Sequence, residues 1–235
     1  MARVVVPLPD SDFDVTEVSV PWRLLTSAGH EVVFATEMGR VAAADPRLLT
    51  GVLFGKLGAE PEPIAFYREM VHDPFFLAPV TWDSLVPAEF DALLLVGGHA
   101  PGMRQYLGSA LLQSKIREFW SLERPVAAIC HGVLPLARAG VLSGVRTTCL
   151  PKYLERSGFW LTAWRLGRYY RTYPAYVEDE VRAAGARFVR GPRAGTKRGT
   201  AEDDGPAFVV RDGRYLSARW PGDAYLFARE LLAML

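Results

Sequence analysis

Short aliphatic runs that close on turn residues and lead into amphipathic stretches recur along this chain, and they constrain its fold more than any other feature. Arg3–Pro7, Glu31–Ala35, Ala92–Val96 and Val126–Ile129 are runs of strand length. Between them, apolar residues recur at helical spacing: from Thr16 to Leu25 ahead of Gly29, across Ser109–Leu122, and across Val133–Ala139. Parallel neighbours need a long crossover, usually a helix, so the alternation predicts an α/β fold with a mostly parallel central sheet and helices on both faces. Ligands of such sheets bind at the carboxyl ends of the strands. The loops after residues 8, 97 and 129 are therefore expected to converge.

The remaining segments are less regular. Residues 38–90 hold prolines at 46, 61, 63, 74, 79 and 87, which break any period and suggest short helices and loops laid over the core. Val145–Leu150 reads as a further strand. Ala207–Val210 and Tyr215–Ala218 read as a hairpin around Asp212-Gly213, and Asp223–Leu235 as an amphipathic last helix. Gly191–Gly205 is the expected mobile loop. With 235 residues the chain is expected to form one domain, 1–235, with residues 38–90 and 151–176 as elaborations near the site.

Charge and residue counts remove several classes of function. Lys and Arg number 27 against 26 Asp and Glu, so no global field draws the chain to nucleic acid or an anionic membrane. Two cysteines, Cys130 and Cys149, cannot make a disulfide framework or a Cys-rich zinc site. The histidines at 30, 72, 99 and 131 lack the close spacing of metal ligands, so no metal is expected. The start, MARVVVPLPDSD, lacks the apolar core of a signal peptide, and no apolar run approaches the roughly 20 residues that span a bilayer. A soluble, cytoplasmic protein is expected.

The sharpest motif is Ala128-Ile129-Cys130-His131-Gly132, set between an aliphatic run and a helical stretch. Strand, tight turn and helix make a nucleophile elbow, here with cysteine in place of serine. Such a turn would expose the thiol, and the following helix N-terminus would favour thiolate; the plain alternative is a buried free cysteine. A second glycine-assisted strand end, Leu95-Val96-Gly97-Gly98-His99, would place the Gly98 N–H beside that of His131 as an oxyanion hole. His99 then either meets the substrate or bonds the adjacent turn. His30 reads as a cap on the preceding helix, His72 as a loop residue, and Cys149 as structural. In Phe159–Tyr176, Arg165, Arg168 and Arg171 are interleaved with Trp and Tyr at a spacing that would share a helix face, suiting dimer packing or a wall of the site.

Taken together, PVAAICHG, FDALLLVGGHAPGM and the acidic residue in DVTEVSVPWRLLTSAGHEV resemble the DJ-1/PfpI superfamily, which has the class I glutamine amidotransferase-like fold. The likeness extends through VEDEVRAAGARFV and FVVRDGRYLSARWPGDAYLFARELL, and is greatest to the larger glyoxalase and chaperone subgroup. The resemblance implies a flavodoxin-like three-layer sandwich with Cys130 as nucleophile, the Glu17 carboxyl over it, His131 beside it, and Glu155 orienting His131. It also implies no cofactor and a homodimer. A protonated Glu17 would stabilise the thiolate by hydrogen bonding, whereas an ionised one would oppose it. Ala128 and Trp220 depart from the family's usual glycine and small polar residue, and Trp220 is expected to narrow the pocket.

The function implied is glyoxalase III-like: a lyase in which Cys130 attacks methylglyoxal or a related small carbonyl and Glu17 moves a proton to give a hydroxyacid. The alternatives are a thiol hydrolase or hydratase (peptidase, amidase or isonitrile hydratase) and a non-catalytic stress chaperone or oxidation sensor. No histidine follows His131, so glutaminase-type hydrolysis lacks its base.

Overall fold

A computed structural model describes residues 1–193 and 197–235. Residues 194–196, within the stretch expected to be mobile, lie outside the described residues.

Seven strands form the central sheet: β1 (Arg3–Pro7), β2 (Glu31–Thr36), β3 (Val80–Thr81), β4 (Ala92–Leu95), β5 (Val126–Ile129), β6 (Val209–Asp212) and β7 (Tyr215–Ala218). Their order is β6-β7-β5-β4-β1-β2-β3, and every neighbouring pair is parallel except β6 with β7. Val4, Val5 and Val6 of β1, and all four residues of β4 and of β5, are buried, as strands covered on both faces require. One group of packed helices comprises α1 (Val15–Ser27), α2 (Pro61–Met70) and the C-terminal Ala224–Leu232; the other comprises Ala110–Ser121, Leu134–Arg138 and Val177–Ala183.

Local chemistry explains the boundaries. Asp14 caps α1, its Oδ1 accepting from Thr16 N at 2.8 Å and Glu17 N at 3.1 Å, and the chain leaves the helix through Gly29 at φ +82°. In the proline-rich segment each of the helices Pro46–Thr50, α2 and Pro74–Leu77 begins on a proline, where a missing N–H costs nothing. This segment covers the core and adds edge strand β3, and Trp82 is buried with its indole N–H on Ala35 O at 3.1 Å.

Several expectations shift. In Val145–Leu150 only Arg146–Thr147 is a strand, and it pairs with Arg187–Phe188 outside the main sheet. Both edges of β7 are already occupied, so Thr147 Oγ1 meets Tyr215 Oη at 2.8 Å and Thr148 N donates to Ser217 Oγ at 3.0 Å instead. The hairpin turn is Gly213-Arg214, one residue later than read, because Asp212 pairs with Tyr215 and Gly213 takes φ +60°. His30 caps the end of α1 through its main chain, its N–H donating to Leu25 O at 3.0 Å, while its side-chain Nδ1 accepts from Ala2 N at 3.1 Å and pins the start of β1. Beyond β7, buried Arg219 clamps buried Asp223 through Nε to Oδ2 at 2.8 Å and Nη2 to Oδ1 at 2.7 Å. Its Nη1 also donates to Pro192 O at 2.6 Å.

Candidate active site

After β5 the chain reverses at Cys130, whose φ of +59° is unusual for a residue with a side chain. A 3-10 turn, Cys130–Val133, then leads into Leu134–Arg138. The elbow fits against β4 only because residue 132 is glycine: a Cβ there would lie 2.4 Å from Leu95 O. Gly97 is equally confined, its Cβ position being 2.7 Å from His131 N and 2.9 Å from Glu17 Oε2. The three loops predicted to converge do so. Asp14 N donates to Gly97 O at 2.9 Å and Gly102 N to Asp12 Oδ2 at 2.7 Å, while Gly97 abuts His131.

Glu17, in the first turn of α1, is buried. Its Oε2 accepts from Gly97 N at 2.7 Å, and its Oε1 has no hydrogen-bond partner. The carboxyl and the Cys130 thiol face each other and interact. Burial, and next the Asp14 charge, push the Glu17 carboxyl well above its ordinary range. Burial, then the charges of Glu17 and Asp14, push the Cys130 thiol up in turn. The resting pair is therefore a neutral acid beside a neutral thiol. The expectation of an exposed thiolate is corrected: Cys130 is only 1% exposed, and a four-residue 3-10 turn supplies too little field to offset burial.

His131 is wholly buried, with Nδ1 3.4 Å from Cys130 Sγ and Nε2 without a partner. Burial, with help from the positive character of His99 and Arg138, holds its pKa well below the usual histidine range, so the imidazole is neutral. Its ring centre lies 4.6 Å from that of His99 and 4.9 Å from that of Tyr173. His99 stands edge-on to Tyr170 at 4.7 Å, and burial lowers its pKa to about 4. Gly98 is packed against Asp12 O and Met103, and its carbonyl accepts from Tyr173 Oη at 3.0 Å. The His131 amide is directed at the sulfur.

Two expected partners stand apart. Glu155 does not meet His131; it is buried with Oε2 accepting from Val177 N at 3.2 Å and Oε1 3.8 Å from Arg171 Nη1, so it ties its own helix to the next. Trp220 lies against Gly222 with the Arg198 guanidinium 5.5 Å from its ring centre, and its neighbour Pro221 shares with Thr16, Glu62, Arg198 and Tyr225 the lining of a cavity of about 400 Å³. The three arginines do not share a helix face, because the helix Lys152–Leu166 stops at Gly167 with φ +58°. Arg165 lies over Phe54 and Arg171 over Tyr176, while Tyr169, Tyr170 and Tyr173 fold toward His99 and His131.

Sequence reasoning passed over Asp14 and Tyr173. Asp14 was legible, since an N-cap residue three positions ahead of a glutamate is a helix-start signature. Tyr173 carries no such mark among its neighbouring tyrosines. Among the described residues no cluster of three or more His, Cys, Asp or Glu is placed to hold a metal ion, and no helix is long and apolar enough to cross a membrane.

A cysteine at a strained elbow, facing a buried carboxyl across the carboxyl ends of a parallel sheet, defines a class of thiol-centred α/β proteins. Residues 8–192 match the family described as ThiJ/PfpI family-like, and the chain belongs to that family. A deglycase of Pyrococcus horikoshii is 29% identical over 98% of this chain and 98% of its own. Protein/nucleic acid deglycase 2 of Escherichia coli is 28% identical over 64% of this chain and 72% of its own. The structure of glyoxalase III from Candida albicans superposes with a TM-score of 0.70 at 19% identity, covering 100% of this chain and 97% of that one.

Proposed function

We propose that the protein is a cofactor-independent, cysteine-dependent enzyme of the glyoxalase III type, converting methylglyoxal or a related small reactive carbonyl to a hydroxyacid. The observation that carries this reading is the buried Glu17 carboxyl, fixed by Gly97 through Oε2 and interacting with the Cys130 thiol. As the Cys130 sulfur adds to the aldehyde carbon, the thiol proton passes to neutral His131 Nδ1, and Glu17 protonates the carbonyl oxygen, giving a hemithioacetal. Glu17, now a carboxylate, takes the C1 proton while the His131 imidazolium protonates the ketone oxygen, giving an enediol; Glu17 then delivers its proton to C2 as the C1 hydroxyl passes its own back to His131, leaving a thioester. Water hydrolyses the thioester, its hydroxyl joining the acyl carbon and its proton restoring the Glu17 acid, while the departing sulfur takes the His131 proton and the thiol is regenerated.

A thiol that is 1% exposed, beside a His131 ring packed on Tyr173 and a His99 ring packed on Tyr169 and Tyr170, favours a small substrate over a peptide, which needs an open groove. A second reading, deglycase-type action on carbonyl adducts, is favoured by the deglycase names of relatives matched over nearly their full length. It uses the same thiol and carboxyl. A homodimer acting on a small molecule, without nucleic acid or membrane, completes the proposal.

The test is lactate formation from methylglyoxal without glutathione. Cys130→Ala is expected to abolish turnover, and Glu17→Gln to lower it by about 10²–10⁴-fold, the scale of a lost proton-transfer group. Wild-type rates in Cys130→Ala would sink the mechanism. Activity confined to preformed adducts, with free dicarbonyl scavenged, would select the deglycase reading.

A further inference from the structure

Asp14 is 5% exposed and belongs to a closed ring of hydrogen bonds around the reacting carboxyl. Its Oδ1 accepts from the amides of Thr16 and Glu17, its own amide donates to Gly97 O at 2.9 Å, and Gly97 N returns a bond of 2.7 Å to Glu17 Oε2. The first turn of α1 thus grips Gly97 by both its N–H and its C=O, leaving Glu17 little freedom to turn from the thiol. A neutral Ser or Asn would cap the helix as well. An ionisable group buried here, one turn from a second carboxyl, brings an electrostatic consequence that a simple cap does not.

We propose that Asp14 is a positioning residue of the reaction centre, whose carboxylate aims Glu17 at Cys130 and, through its charge, keeps Glu17 a proton donor. The inference rests on the reading of Cys130 and Glu17 as the reacting pair. Asp14 is faced by Arg198, Asp45, Tyr169 and Tyr170, Glu17 by Asp14, Cys130, Asp223 and Tyr106, and Cys130 by Glu17, Asp14, Tyr173 and both the amide and the ring of His131. Arg198 only partly offsets the negative charge, being itself 3.7 Å from Glu60. Burial raises the Asp14 pKa to about 6, so at neutral pH it is ionised. A second negative charge on Glu17 is then strongly opposed, and the proton stays where the mechanism needs it.

The experiment is a pH titration of the ultraviolet thiolate absorbance in wild type, Asp14→Asn and Asp14→Ser, each corrected by its Cys130→Ser counterpart so that Cys149 cancels. Both substitutions keep a capping oxygen and remove the charge, and if one fails to fold the other carries the test. The Cys130 midpoint is expected to fall by about one pH unit in each, as removing a nearby charge at intermediate dielectric implies. The infrared band of a protonated carboxyl that Glu17→Gln removes from wild type at neutral pH should be weakened by Asp14→Asn. Midpoints and band equal to wild type in a folded variant would overturn the proposal and leave Asp14 a helix cap. Neither readout needs substrate, so absence of aldehyde turnover would count against the proposed function and not against Asp14.

Discussion

Glu155 and Glu17 are both buried glutamates in the first turn of a helix, yet they serve different ends because of what each faces. Each holds a main-chain N–H with Oε2 and leaves Oε1 without a hydrogen bond, but the Glu17 carboxyl interacts with the Cys130 thiol, whereas Glu155 Oε1 lies 3.8 Å from Arg171 Nη1. Burial raises Glu155 to about 7 from an ordinary value of 4.5, so the folded protein holds this proton more tightly than the unfolded chain. Its contribution to stability is full below about pH 4.5 and is lost as pH rises through about 7. Glu155→Gln keeps an oxygen for Val177 and cannot ionise, so it escapes that loss. Melting temperatures at pH 5 and pH 8 should show the difference between the two proteins moving in favour of the variant at the higher pH; the buried histidines titrate alike in both and cancel.

The elbow is held by backbone fit as much as by any side chain. Gly132→Ala would set a methyl 2.4 Å from the Leu95 carbonyl oxygen and 2.8 Å from Val96 C, all main chain with nothing flexible to yield. Urea unfolding should register a loss of roughly 3 kcal/mol, the upper range for overpacking, while Gly108→Ala, with nothing within 4 Å of its Cβ position, should stay within about 0.5 kcal/mol of wild type. Strands β1, β2, β4 and β5 and the convergence of their loops were legible, because uninterrupted aliphatic runs closed by turn residues have few other uses in a chain this size. Val145–Leu150 has the same local character but finds both edges of β7 taken, a fact of the assembled sheet and not of the segment. Cys130 and Glu17 could be picked out, whereas the partner of Glu155 could not: 22 residues separate it from Val177, and spacing of that length fixes no direction. The arginine spacing misled because Gly167 ends the helix before it reaches Arg168.

Beyond the site, Trp160 at 72% and Trp164 at 71% exposure share one helix with exposed Leu161, and Phe54 from the proline-rich segment stands 6.3 Å from Trp164. Aromatic side chains carry about 150–250 Å² each, so two tryptophans and a phenylalanine at this exposure leave open an apolar area of a few hundred Å², the size that marks interaction sites. The proposed homodimer gives this face a use. Sedimentation velocity should show a dimer for wild type and a monomer for the Trp160→Ser, Trp164→Ser double variant, and an unchanged mass would separate the patch from assembly. The Arg219–Asp223 clamp sets a different kind of limit, on how the sequence can drift. Replacing either residue alone strands a buried charge at a cost of about 3–5 kcal/mol, whereas a joint apolar change removes both charges and leaves only main-chain groups, Pro192 O and Phe208 N among them, to find new partners. The two positions are thus locked together in descent: a lineage leaves this pair only by a joint change, or by crossing an intermediate that folds poorly.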